Sequence, residues 1–191
     1  IGRLTFPIMA FLITEGYQHT SDIKKYLNRL FLFALISMPA FYILFGWPLN
    51  VFFTLLAGLF ALHITNNMPS RSARFWTVLV ISIVVCLCDW GLPGVWTIYF
   101  MGRIKDNKKR ILIPLILLFV LVILINYFAT IVRNYQIGFV HWFMQTEAWF
   151  YFGIFLTIPL LLLYNGKKGI GAKYLFYIYY PVHLIGIAVV Q

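Results

Sequence analysis

Between Arg110 and Arg133 the chain runs for twenty-two residues, "ILIPLILLFVLVILINYFATIV", without a single charged side chain. A helix of that length rises about 1.5 Å per residue and reaches across the roughly 30 Å hydrocarbon layer of a bilayer. Similar runs recur from one end of the sequence to the other, separated by short basic connections. Reading them in order predicts helices at about residues 2–18, 28–46, 50–66, 74–91, 94–103, 111–132, 142–164 and 173–190. The span at 94–103, "PGVWTIYFMG", is near the lower limit for crossing and also fits a re-entrant element. The expectation is therefore an all-α, polytopic transmembrane bundle of about eight spans. It forms a single domain over residues 1–191, because no repeat, linker or low-complexity tract divides it.

Composition agrees with this reading. Of 191 residues, 62% are hydrophobic and only 10% are charged, against the quarter or so expected of a soluble domain. The net charge of +10 arises from fifteen Lys and Arg against five acids. Such a balance can serve nucleic acid or lipid headgroups, but here the charges fall between apolar runs. Lys24, Lys25 and Arg29 follow the first span, and Arg71 and Arg74 follow the third. Arg103, Lys105, Lys108, Lys109 and Arg110 follow the fifth, and Lys167, Lys168 and Lys173 follow the seventh. These are alternate connections. By the positive-inside rule they face the cytoplasm and residue 1 starts outside, with no role for nucleic acid. The sequence begins at Ile1, without Met or a basic leader, and further residues are expected before it.

Ionisable side chains within spans are costly and are read as functional candidates. In "ITEGYQHT", Glu15 and His19 stand four apart on one helix face, a spacing that lets a carboxylate orient an imidazole and that equally suits an interfacial cap pair. His183 lies in "YIYYPVHL" beside Pro181 and the phenols of Tyr177, Tyr179 and Tyr180, where it fits a base, a proton relay or a core histidine. Asp89 in "CDWGLPG" suits a turn cap or an outer substrate site. Arg3 suits headgroup snorkelling or that same site. Glu147 and His141 fit an interfacial pair or an outer cavity. Cys86 and Cys88, two apart, face opposite sides of a helix and read as small core residues. The segment "YNGKKGIGAK" is glycine-rich and basic but lacks phosphate-loop spacing; it is a basic connection whose Asn165, Lys167 and Lys168 also suit an anion. Four histidines at 19, 63, 141 and 183 form no local ligand pair, so no metal is expected.

Several blocks are more specific: "IGRLTFPIMAFLITEGYQHT", "KKYLNRLFLFALIS", "NVFFTLLAGLFAL", "DWGLPGV", "YNGKKG" and "KYLFYIYYPVHL". Together they span almost the whole chain and resemble the TraX family of membrane proteins, named for the acetylase of conjugative F-pilin. That family is distantly similar to other transmembrane acyltransferases, among them the lysosomal heparan glucosaminide N-acetyltransferase, which shares a Phe-Pro motif like Phe6–Pro7. The resemblance implies a multi-pass protein of the bacterial inner membrane that transfers acetyl from cytosolic acetyl-CoA to an amine or hydroxyl acceptor, a pilin-like protein or a small molecule. It implies His19, Glu15 and His183 as catalytic candidates. Lys24, Lys25, Arg29, Asn165, Lys167 and Lys168 become candidates for CoA, and Arg3, Asp89 and Tyr180 for the acceptor. Family members commonly begin with one more helix carrying an Asp-His pair, a region that would precede Ile1, and carry Glu before proline where this chain has Met38. The alternative reading is a small-molecule transporter or a non-catalytic structural membrane protein, although the paired, interrupted repeats common in transporters are not seen.

Overall fold

A computed structural model describes residues 2–47, 49–134, 138–145, 147–165 and 173–190. Every regular element among them is helical: α1 Gly2–His19, α2 Ile23–Phe45, α3 Val51–Asn66, α4 Arg71–Val84, α5 Gly91–Arg103, α6 Lys109–Asn134, α7 Phe139–Gln145, a 3₁₀ helix Glu147–Leu156, α8 Thr157–Leu162 and α9 Lys173–Val190. The helix starts follow capping chemistry. The side chains of Asp22, Asn50 and Ser70 accept from the backbone amides of Lys25, Phe52 and Ala73, each at the first turn of its helix. Asn50 also donates to the Ala34 carbonyl at 2.8 Å, fixing the start of α3 against the middle of α2. Helix α2 stops at Gly46, which takes the left-handed conformation (φ +67°) and donates its amide back to Tyr42.

Helices α3 and α5 form the centre. On α3, Phe52, Leu55, Leu59 and Leu62 are buried, and Ile98 and Met101 of α5 meet them. The two backbones approach closely where glycines stand: a Cβ at Gly58 would lie 2.5 Å from Ile98, and one at Gly94 2.5 Å from Thr54. Helices α1, α4 and α6 pack against α5, and α2 and α9 lie against each other beside α3. The segment read at 94–103 is thus part of a thirteen-residue helix, Gly91–Arg103, at the centre of the bundle.

Among the described residues, two helices are long and apolar enough to cross a membrane, Ile23–Phe45 and Lys109–Arg133; Val51–Asn66 and Ala148–Leu162 are apolar but shorter. Large apolar side chains nonetheless stand on the outward faces as well. Val84, Phe128, Ile43 and Leu163 are each more than 65% exposed. Apolar surface on this scale marks contact with a membrane or partner.

Two expected spans are laid out differently. The span read at 74–91 ends at Val84, because residues 85–90 turn across to the 47–54 segment. The Trp47 indole donates to the Leu87 carbonyl at 2.9 Å, the Asp89 amide donates to Leu49 at 3.1 Å, and the Thr54 hydroxyl donates to the Asp89 carbonyl. Cys86 and Cys88 consequently sit in this connection rather than on a helix, and Cys86 is exposed. The span read at 142–164 is broken into α7, the 3₁₀ helix and α8. With three residues per turn, Trp149, Phe152 and Phe155 share one edge, and Phe152 and Phe155 each pack 5.0 Å from the Phe119 ring.

Candidate functional site

At the end of the bundle where α1 begins, the connection between α4 and α5 builds a crevice. Trp90 is the residue that shapes it. It takes a left-handed backbone (φ +64°), rare for a bulky side chain, and its indole stacks on Phe6 with ring centroids 4.7 Å apart and planes 10° from parallel. Gly91 permits the tight turn that follows, since a Cβ there would lie 2.6 Å from the Cys86 carbonyl oxygen. The Arg3 guanidinium covers the Trp90 ring at 5.5 Å and the Tyr151 ring at 4.0 Å, a cation held by two aromatic faces.

Arg3, Trp90 and Asp89 line a cavity of about 960 Å³ whose far wall is Trp149, Phe150 and Phe152. Asp89 and Trp90 also line a smaller cavity of about 150 Å³ together with Tyr180 and His183 of α9. The structure therefore gathers four residues from three parts of the chain, Arg3, Asp89, and Tyr180 with His183, around two adjoining cavities. His183 stacks on Tyr179 at 5.6 Å, with planes 16° apart. Burial pushes the Asp89 carboxyl up to about 6, against the opposing effects of Arg3 and of a hydrogen bond from the Trp90 amide. A carboxyl poised there exchanges its proton near neutrality. Burial pushes the Cys88 thiol up to about 11, so it is no thiolate nucleophile at neutral pH.

The opposite end holds the other candidates. Glu15 and His19 do not act as one unit. Glu15 is buried and its Oε1 lies 2.7 Å from Arg110 Nη1, whereas His19, a turn later, is exposed where α1 leaves the bundle. Arg110 also donates from Nε to the Met101 carbonyl at 3.3 Å and from Nη2 to the Thr14 hydroxyl at 3.4 Å. Tyr17 and His63 share a hydrogen bond at 3.3 Å. Lys24 and Lys25 are exposed, and Lys25 pairs with Asp22 at 3.2 Å. Arg29 lies 5.4 Å over the Tyr26 ring and hydrogen-bonds the Tyr177 hydroxyl, yet its buried Nε has no partner among the described residues. Asn165 is exposed at the end of the segment after α8. Lys167 and Lys168 lie outside the described residues, as does the side chain of Glu147. No group of three or more His, Cys, Asp or Glu that could hold a metal occurs among the described residues.

Sequence reading missed Arg110 and Trp90. Arg110 sits at the end of a run of cations that orientation in a membrane already explains. The signal available was Glu15, a carboxylate in an apolar helix that needs a cation. Trp90 gave no signal, because its role rests on a backbone conformation.

No solved structure matches the chain. Across 96% of its length it is 29% identical to a protein of Dichelobacter nodosus named "probable fimbrial assembly protein FimC, serogroup H1", of which it covers 78%. The family model described as TraX protein matches residues 1–191, and the chain belongs to the TraX family.

Proposed function

We propose that this chain is a multi-pass protein of the bacterial cytoplasmic membrane that transfers an acetyl group from acetyl-CoA to an amine or hydroxyl on a pilin-like protein. The observation that carries the reading is the convergence of Asp89, Tyr180 and His183 on one small cavity within otherwise apolar surroundings. A carboxyl, a phenol and an imidazole placed together in an oily protein are costly unless used. The exposed aliphatic and aromatic faces of α2, α4 and α6 support a bilayer setting for the shorter helices as well. The relative's name supports an acceptor belonging to fimbrial assembly.

In this reading the basic connections face the cytoplasm and the Arg3 end faces out. The residues at the cytoplasmic end suit a phosphorylated donor. Lys24 and Lys25 offer exposed ammonium groups, and the buried Arg29 Nε is a donor with no acceptor among the described residues. Lys24, Lys25 and Arg29 would hold the CoA phosphates together with Asn165, Lys167 and Lys168. Acetyl-CoA supplies, when bound, an acetyl group activated as a thioester. The acceptor nitrogen or oxygen bonds to the thioester carbonyl carbon as His183 takes its proton, the carbon–sulfur bond breaks, and His183 returns the proton to the departing CoA thiolate, an ionised Asp89 stabilising the imidazolium in between. Tyr180 and Arg3 position the acceptor, and the aromatic walls around them keep water away.

The direct test is calorimetric titration of acetyl-CoA into the full chain purified in detergent, followed by transfer of labelled acetyl to a pilin-like acceptor. Saturable binding and transfer are expected. A folded protein that binds no acetyl-CoA at millimolar donor would sink the acetyltransferase reading.

A further inference from the structure

At the same end of the bundle as Lys24 and Lys25, but lined by none of the residues assigned to the donor, α4 and α5 form an open pocket of about 450 Å³ that contains Arg71, Arg74 and Arg103. Among the described residues no carboxylate lines it; the remaining wall is Phe75, Trp96, Tyr99, Phe100 and Ile104. Two of the arginines are tethered by one nitrogen each. Arg74 Nη1 donates to the Met68 carbonyl at 3.2 Å, and Arg103 Nη2 donates to the Thr65 carbonyl at 2.8 Å. A guanidinium carries five N–H donors, so each tether fixes the group while leaving others to serve a ligand. Arg71 is exposed in the first turn of α4, where the helix N-terminus itself favours an anion.

The rings choose the kind of anion. Trp96 packs 5.4 Å from Phe75 and 5.6 Å from Phe100, and Arg103 lies 5.9 Å over Tyr99. Immediately along α4, Phe75 and Trp76 are about half exposed, and Ile83 is 57% exposed further down the helix. A soluble phosphate has no use for an aromatic wall opening onto apolar surface. A headgroup attached to acyl chains does, and basic pockets between helices at the cytoplasmic face are suited to such lipids. We propose that Arg71, Arg74 and Arg103 hold the phosphodiester headgroup of an anionic membrane phospholipid, with its acyl chains along the exposed face of α4. The site rests on the membrane part of the proposed function and is independent of acetyl transfer.

The test begins by washing membranes that contain the full chain with alkaline carbonate. Release of the chain would overturn the multi-pass reading and the lipid site with it. For a retained chain, native mass spectrometry after detergent extraction counts bound phosphatidylglycerol against phosphatidylcholine at equal supply. Preferential retention of phosphatidylglycerol is expected, falling on the order of fivefold for each arginine removed in Arg71→Gln and in Arg71→Gln/Arg74→Gln. Lys105→Gln/Lys108→Gln, exposed at the same end but outside the pocket, is expected to retain the lipid. Arg71 makes no hydrogen bond or ion pair among the described residues, so Arg71→Gln alone reads the site if Arg74→Gln disturbs folding. Equal retention of the two lipids, an equal loss in the lysine variant, or unchanged retention in Arg71→Gln would each overturn the proposal. Displacement of phosphatidylglycerol by millimolar inorganic phosphate or acetyl-CoA would overturn the lipid assignment in favour of a soluble phosphate site.

Discussion

Glu15 and Arg110 meet at 2.7 Å inside the bundle, each about nine-tenths covered, and join α1 to α6. The contact is an ion pair rather than an aligned hydrogen bond. The Arg110 guanidinium also lies 5.1 Å over the Phe11 ring and reaches Met101 of α5. Three helices are thus tied by one cation. Removing either partner leaves the other charge buried alone, which costs about 3–5 kcal/mol. Glu15→Met and Arg110→Met are each expected to lose that much in detergent-based unfolding. The double variant Glu15→Met/Arg110→Met should recover most of it, because no charge is then stranded. Additive losses in the double variant would show that the two side chains act separately.

The close packing of α3 on α5 gives a graded expectation. At Gly58 a Cβ would lie 2.9 Å from the Cβ of Ile98, an atom that cannot move away without the backbone. Gly91 faces the Cys86 carbonyl oxygen at 2.6 Å, with the same consequence. At Gly102 the obstacle is the far end of Leu62, which can rotate. Gly58→Ala and Gly91→Ala should therefore destabilise by about 1–3 kcal/mol, and Gly102→Ala by less. Thermal melts of the three variants in one detergent give the order. A melt in which Gly102→Ala is the worst would contradict the packing described.

These contacts mark what a sequence can and cannot disclose. The starts of α2, α3 and α4 are written locally, in Asp22, Asn50 and Ser70, and the apolar runs give the existence of most helices. The end of α4 is not local. Residues 85–90 are apolar enough to continue a helix, but their carbonyls and amides are claimed by Trp47, Leu49 and Thr54 from another part of the chain. The 3₁₀ helix likewise depends on Phe119 of α6 to receive its aromatic edge. Candidate residues were legible by type, since ionisable groups in apolar surroundings stand out. Their grouping was not. Glu15 and His19 share a helix face, yet only Glu15 is enclosed by the bundle, whereas Asp89 and His183 are brought to one cavity only by the tertiary fold.

Asp89 gives the protein a pH dependence of definite sign. Its carboxyl is raised from the ordinary 3.8 to about 6, chiefly by burial, so the folded state holds the proton more tightly than the unfolded chain. Its contribution to stability is fully present below about pH 4 and is lost as pH rises through about 6. Asp89→Asn keeps an acceptor for the Trp90 amide but no longer titrates. The variant should be more stable than the parent at pH 8, and its melting temperature should change less between pH 4 and pH 7. Arg3→Gln removes the nearby cation that opposes this shift, and should steepen the dependence. An Asp89→Asn protein with the parent's pH profile would assign the titration elsewhere.

The position of the base is decided by comparing two histidines. Both are exposed, but His183 borders the cavity shared with Asp89 and Tyr180, while His19 lies at the other end of α1 and its helix neighbour Glu15 is committed to Arg110. Loss of a general base typically lowers the rate by about 10²–10⁴. In an acetyl-transfer assay, His183→Ala is expected to lose turnover by that factor while still binding acetyl-CoA, because the proposed function assigns the donor's phosphates to the far end. His19→Ala should keep near-normal turnover. Glu15→Gln should lose stability first, and activity only as the folded fraction falls. Asp89→Asn should lower turnover without changing donor affinity, which separates its effect on the imidazolium from any effect on CoA. If His19→Ala abolishes transfer and His183→Ala does not, the cavity beside Trp90 is not where the acceptor loses its proton, and the chemistry lies at the end of the bundle that carries Lys24 and Lys25.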